Sequence, residues 1–502
     1  MKIFNKICLV SGVSLMLLSC TGELDIQPEG TPTEASFWKS ENDLITGANA
    51  MYKPLYDSEF YGRGLFWFIN ASDDMVTGRI RGEADNAKNF SSNYVAAGDL
   101  ETQWNRRYNV IGVANRVIRN IDNIQTSTAI KNQYMGEALF MSSRMYFELA
   151  SNYGNEKAGI PIIDRTKEPD PNPIPRAANV KMNYDYIVAD LKKAAELLPS
   201  QAELPVKDYG RPHKAAAWAL LAKVYLFMKD WNNAEYWANE VMTKGNRNLL
   251  GNYADVFKAE NNFSSEYIWS VSSTPKFTGV GSILPGVMLE NKGWSEYNGW
   301  GYFQPTKELY DEFEAGDLRR SVTILKEGDQ FTFNGTVRTY ATSNSATKAQ
   351  FNKYMDPFKY PLKAGHVNGN GDYPCTDLAV PIMRYAEVIL IKAEALIMQG
   401  KSADTEINMI RKRAGLAPKT GCTLADLKHE RRCELAGEWA DRHRDLVRWG
   451  DAQAAYAKSL HGMEGNEVWA PRNFNPAIHN VWAVPQAEIV NSHGVIKQNE
   501  GW

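Results

Sequence analysis

From Lys214 to Met242 the apolar positions recur every three or four residues. Ala217, Leu220, Leu221, Val224, Tyr225 and Met228 form one stripe, and Ala234, Trp237, Ala238, Val241 and Met242 repeat it after a break at Lys229 to Asn233. This pattern predicts two helices joined by a turn so short that they must pack antiparallel. Trp218, Leu221, Ala222, Tyr225 and Ala234 stand at the offsets of a tetratricopeptide hairpin, with Ala222, Ala238 and Asn246 where that pattern has Gly, Phe and Pro. The same spacing predicts helices through Leu44, Ala48, Met51 and Leu55, through Trp104 to Ile121, through Tyr134 to Leu149 and through Tyr184 to Leu198. A weaker hairpin is predicted around Gly400, from Val388 to Met398 and from Ala403 to Ile410. Five prolines between Pro161 and Pro175 impose an extended connection.

Two regions break the period. Phe60 to Asp99 is punctuated by Gly and predicts short strands and loops, and Tyr253 to Pro381 is rich in Gly, Asn, Ser and aromatic residues. Long irregular segments on a regular scaffold are where ligands bind. The fold expected is mainly α: a tetratricopeptide-like helical-hairpin scaffold over about 34–250 and 382–450, with an irregular loop-rich insert over about 251–381 and an irregular C-terminal region over about 451–502.

Charge narrows the partners. Lys and Arg number 56 against 59 Asp and Glu, so no basic field is available for nucleic acid. Lys2 and Lys6 followed by the apolar run Ile7 to Leu18 read as a signal segment spanning 1–19, too short to cross a bilayer comfortably. It ends Leu17, Leu18, Ser19, Cys20, which resembles a bacterial lipobox and implies a lipid on Cys20, hence a membrane anchor. Residues 20–33, acidic and rich in Pro and Gly, read as a tether. Cys375, Cys422 and Cys433 then remain, without metal-ligand spacing; one disulfide is allowed and none is required.

No compact catalytic signature is present, neither HExxH, GxSxG, a Walker loop nor paired CxxC, and no cofactor is called for. Asp73 and Asp74 are adjacent and project differently, unlike a glycosidase pair held across a sugar. Asn368, Asn370 and Asp372 alternate as calcium ligands do, but Tyr373 takes the place of the loop Gly, which favours a plain turn over a metal site. The run Glu430 to Arg448 reads as structural, with Glu438 to Arg442 and Asp441 to Arg444 pairing along a helix.

The strongest functional clue is aromatic. Trp294, Tyr297, Trp300, Tyr302 and Phe303 are interleaved with Gly293, Gly299 and Gly301. Sugar faces pack their C–H groups on such rings, and their hydroxyls call for Asn, Asp and Arg. Large aromatics are also usually buried, so Trp294, Trp300 and Tyr302 divide evenly between core and ligand. A second patch holds Trp67, Asp73, Arg79 and Arg81.

The C-terminal third carries a resemblance. RYAEVILIKAEALIMQG (Arg384 to Gly400), INMIRKRAGL (Ile407 to Leu416), ERRCEL (Glu430 to Leu435), DLVRWG (Asp445 to Gly450), WAVPQAEI (Trp482 to Ile489) and the ending QNEGW resemble, in order, the SusD/RagB family of Bacteroidetes outer-membrane lipoproteins. Leu24, Asp25, Pro28, Phe37, Trp38, Glu41, Asn49, Ala50 and Tyr52 resemble the family's opening. Trp439 departs from it, standing where a Gly usually follows the Glu, and the chain ends in Trp rather than Tyr. The resemblance implies a surface-exposed lipoprotein that is not an enzyme. It would capture oligosaccharide or polysaccharide and sit as a lid on a SusC-like TonB-dependent outer-membrane transporter. Family contacts come from the early loop and the insert, which matches Trp67, Asp73 and Arg81 and the Trp294, Tyr297, Trp300 and Tyr302 cluster by position. Peptide capture, as in RagB-like members, is the alternative; it would favour exposed backbone edges over aromatic platforms.

Overall fold

The computed structural model describes residues 37–502 apart from 169, 275–281, 291–298, 342–343, 362–366, 369–374 and 441. The signal segment, Cys20 and the tether lie outside the described residues. Helix α1 (Glu41–Asn49) opens on a capping box in which the Ser40 and Asp43 side chains satisfy each other's backbone amides. Short helical turns follow, then α2 (Phe66–Asn70), strand β1 (Met75–Thr77) and α3 (Gly82–Lys88). The early region is therefore mostly short helices rather than the strands and loops its glycines suggested: Phe66, Trp67, Phe68 and Ile69 are all buried, and an apolar run of this length does not by itself distinguish helix from strand.

The scaffold is a series of long helices packed on their sequence neighbours. These are α4 (Gly98–Asn120), α5 (Thr128–Tyr153), α6 (Val180–Leu197), α7 (Lys214–Phe227) and α8 (Trp231–Lys244). Between α7 and α8 the chain reverses at Lys229, whose φ of 58° is left-handed, and the Asp230 side chain accepts from the Asn233 amide to start α8. Ala222, Ala234 and Ala238 are fully buried in the hairpin, which is what close helix approach requires. Helix α7 differs from the single stripe that its spacing suggested. Ala215, Ala216, Ala219 and Leu226 are buried too, because α6, α8 and later elements cover it on several sides. Among its described residues the stretch from Pro161 to Pro175 makes no helix; Pro161 pairs as an isolated bridge with Arg176, whose guanidinium donates to the Tyr153 carbonyl at the end of α5.

After α8 come β2 (Tyr267–Val271), β3 (Phe303–Pro305) and β4 (Val380–Arg384); β3 pairs antiparallel with β1 and β4 with β2. Leu289, Leu325, Phe333, Tyr340, Met355 and Phe358 make a satellite core inside the insert. Helices α9 (Tyr385–Met398), α10 (Asp404–Arg413), α11 (Leu424–Leu435) and α12 (Arg442–Trp449) return to the scaffold, α9 packing on α8. The ending folds back onto α5: Asn499 donates to the carbonyls of Tyr153 and Trp482 at 3.0 and 2.7 Å.

Helix α11 sends buried charges in four directions. Glu430 meets Arg319 at 2.9 Å and also Arg411; Arg431 meets Asp445 at 2.6 Å and Glu387 at 3.2 Å. Arg432 meets Asp74 at 2.8 Å and Glu312 at 2.7 Å, while Glu434 meets Arg384 at 2.9 Å and also Arg413. The charged run is thus structural as expected, but its partners are not those expected. Residues 436–440 are not helical, so Glu438 and Arg442 do not share a helix. Glu438 binds Lys353 at 2.6 Å and Arg384 at 2.8 Å, Arg442 binds Asp73 at 3.0 Å, and Arg444 donates to the carbonyls of Ser151 and Asn480; Asp441 lies outside the described residues.

Burial alone would raise the carboxyl of Glu434, but Arg413, Arg384 and Arg319 hold it at about 2, down from an ordinary 4.5. Asp445, likewise buried, is held at about 2 by Arg431 and Arg448, down from 3.8. A depressed carboxylate stabilises the fold fully above its ordinary value, and that contribution is lost as pH falls toward the folded value. Chemical unfolding midpoints should therefore fall steeply between about pH 4.5 and pH 2. Arg384→Ala, which takes one partner each from buried Glu434 and Glu438 and leaves them to Arg413 and Lys353, should cost about 3 kcal/mol by urea titration at neutral pH; a loss below about 1 kcal/mol would remove the network from the account of stability.

Candidate functional site: an arginine and aromatic patch

The β1 and β3 pairing brings together two patches that are more than two hundred residues apart in the chain. Met75, Val76 and Thr77 face Pro305, Gln304 and Phe303. Beyond β1, the Gly78 amide donates to the Tyr302 carbonyl at 2.8 Å. A Cβ on Gly78 would lie 2.1 Å from the Gly301 carbonyl oxygen, so the crossing requires glycine there. Gly301 itself has φ 57°, and the amides of Trp300, Gly301 and Tyr302 donate to the carbonyls of Gly286, Leu289 and Val287 at 2.8–3.1 Å. Trp300, Gly301 and Tyr302 are thereby laced to the short helix Leu284–Met288 and its end.

Beneath the patch, Trp67 stands edge-on to Tyr302, ring centroids 5.7 Å apart at 88°. Tyr302 is buried; Trp300 is partly exposed and stands edge-on to it at 5.9 Å. Three guanidinium groups lie over these rings: Arg63 is 5.3 Å from the Trp300 centroid and 5.4 Å from Tyr302, Arg79 is 5.3 Å from Tyr302, and Arg81 is 5.3 Å from Trp67. Arg63 also donates to the Tyr302 hydroxyl at 3.2 Å. Glu59 accepts from Arg63 Nε at 2.6 Å and lies 3.8 Å from Arg81, which reaches Glu83 at 3.3 Å. Arg79 and Ile80 project from the loop after β1, Ile80 being 99% exposed.

Of the residues singled out from the sequence, Arg81, Trp300 and Tyr302 belong to this patch, and Arg79 joins them. Trp67 needs correction: it is 0% exposed, supporting the patch from below with no surface left for a ligand. Asp73 needs correction too. It points away from the patch into a buried ion cluster, 3.0 Å from Arg442 and 3.2 Å from Arg432. Burial opposes its charge, but the two arginines hold its carboxyl below the usual range. Trp294, Tyr297, Asn370 and Asp372 lie outside the described residues, as does the side chain of Asn368. Arg63, Glu59 and Glu83 were missed. An i, i+4 pair such as Glu59 and Arg63 reads as ordinary surface charge until the β1 and β3 pairing places it against Trp300.

The loop carrying Asp73 is rigidly held. Buried Lys88 donates to the carbonyls of Asn70, Ser72 and Met75 at 2.7, 3.1 and 2.8 Å, and Arg472 adds contacts to Ala71 and Ser72. Trp439, the departure from the family pattern, packs at 5.2 Å on Phe66 and 5.4 Å on Tyr61, filling the space under the same segment. Elsewhere, Glu314, His429 and Glu430 sit close enough to hold a cation, but Arg411 already binds both glutamates and His429 holds Glu312 at 2.7 Å. Cys422 and Cys433 are free thiols.

The helical scaffold thus presents a rigid, half-open aromatic and cationic patch, the geometry of a binding protein. The comparisons give its family. A model described as the SusD family matches residues 265–502, and one described as starch-binding associating with outer membrane matches residues 32–226. SusD-like protein P2 of Formosa agariphila is 28% identical, over 97% of this chain and 98% of its own. The starch-binding protein SusD of Bacteroides thetaiotaomicron is 26% identical, over 64% of this chain and 65% of its own. The crystal structure of a SusD-like protein from Bacteroides fragilis superposes with a TM-score of 0.78 at 26% identity, covering 93% of this chain and 98% of that one. The chain belongs to the SusD/RagB family.

Gly78→Ala should unseat the crossing of the two segments, since its Cβ has no room against Gly301. We expect weakened ligand retention with helical circular dichroism unchanged; unaltered retention would place the ligand elsewhere.

Proposed function

We propose that this protein captures glycan at the outer membrane through the patch around Trp300 and delivers it to a SusC-like TonB-dependent transporter. The observation that carries the reading is the convergence of the early loop and the insert into one rigid, partly exposed array of aromatic rings and hydrogen-bond donors. Family membership supports it, as do the name of the starch-binding relative and the description of the second matching model. The role is binding rather than turnover: Glu59 and Glu83, the carboxylates at the patch among the described residues, are committed to Arg63 and Arg81. A lipid on Cys20 and the acidic tether after it would let the folded unit move on its anchor, as a lid on a transporter must.

Native gels containing neutral, acidic and host-type polysaccharides test this on the full mature chain with Cys20→Ser. Retardation by one of them is expected. Trp300→Ala should weaken it by about 2 kcal/mol or more, while Tm shifts by only a few degrees because the ring is partly exposed. A large fall in Tm would make Trp300 a core residue, and migration unchanged throughout would favour peptide capture. In cells, full-length protein should fractionate with the membrane and Cys20→Ser with the soluble fraction; equal partition of both would exclude the anchor.

A further inference from the structure

We infer that the patch selects glycans bearing negative charge, as a uronate carboxylate or a sulfate ester. The inference rests on the glycan-binding reading above and adds the chemical class of the ligand. A neutral pyranose docks by laying C–H groups on an open ring face. Here the rings carry guanidinium groups instead: Arg63 lies against Trp300 and Tyr302, Arg79 against Tyr302 and Arg81 against Trp67, all at 5.3–5.4 Å from the centroids. Arg63 already donates to Glu59 and the Tyr302 hydroxyl, so it is at Arg79 that contact with a ring orients a guanidinium without consuming its N–H donors, which radiate in its plane and match the paired oxygens of a carboxylate or sulfate.

The charge count points the same way. Among the described residues, three arginines face two carboxylates, Glu59 and Glu83. Glu59 serves Arg63 and approaches Arg81 at 3.8 Å, and Glu83 serves Arg81 at 3.3 Å. Arg79 is exposed and, among the described residues, lies within ion-pair distance of no carboxylate. Among the described residues the positive charge of Arg79 therefore has no counter-charge; it is held by Tyr302 at the rim beside exposed Ile80. The whole chain carries a net charge of -3, so it offers polyanions no general attraction, and retention must come from a local site.

The probes are polygalacturonate and carrageenan, each run beside its neutralised twin, carboxyl-reduced and desulfated respectively, with starch and a β-glucan as neutral glycans. We expect one polyanion to retard the protein, with binding about tenfold weaker for its twin and for Arg79→Ala, the loss of one charge-assisted hydrogen bond. The retarding polyanion then distinguishes carboxylate from sulfate. Raising salt should weaken retention by the polyanion, and Arg79→Lys should restore part of it. Equal retardation by polyanion and twin, or by a neutral glycan with Arg79→Ala within about twofold of the parent, would overturn the charge requirement and leave glycan capture standing. Retardation by none of these glycans would overturn both.

Discussion

The buried face of α11 is the constraint on which the rest of this structure depends. Along a little over one turn, Glu430, Arg431, Arg432 and Glu434 each reach a different part of the chain: Arg319 in the insert, Asp445 in α12, Asp73 and Asp74 in the early loop, and Arg384 and Arg413 on either side of α9. Charges this deep are tolerated only when each has a partner of opposite sign in good geometry. That requirement makes the network selective. A misplaced insert or early loop would leave an ion buried and unpaired, at a cost of several kcal/mol, so the irregular parts are held in register with the helices.

The aromatic and cationic patch inherits its rigidity from this arrangement. Arg432 and Arg442 hold Asp73 on the inner side of the loop, Lys88 and Arg472 hold the carbonyls between, and Trp439 fills the space beneath Phe66 and Tyr61. The outer side of the same loop is left to present Arg79 and Ile80. Rings and guanidinium groups fixed in advance would lose little side-chain freedom on binding, which is how the proposed capture would gain affinity without deep enclosure.

Much of the scaffold was legible in the chain. Helical spacing located the α7 and α8 hairpin, the helices around Trp104, Tyr134 and Tyr184, and the pair around Gly400, because burial of one helical face forces apolar residues into a period that neighbours cannot disguise. It was less informative where burial is all-round, as in α7, or where elements last only a turn, as between Phe60 and Asp99. The candidate patch was half legible. Trp300, Tyr302, Arg79 and Arg81, singled out by residue type, do come together in it, whereas Trp67 and Asp73 face the interior. Tryptophan and aspartate have the same identity whether they face a ligand or a buried partner.

What the sequence determined by itself was therefore local and periodic: the helices, the extended proline segment, and the ordered motifs that mark the SusD/RagB family. What only the tertiary structure decided was every pairing across the chain. The antiparallel match of Met75–Thr77 to Phe303–Pro305 is three residues long, too short to leave a periodic trace, and it alone turns two patches into one. The partners of Glu438 and Arg442 were decided in the same way. Charged residues advertise that they need a counterion, but which one is set by proximity in space, and here the chain breaks between them and sends each to a different element.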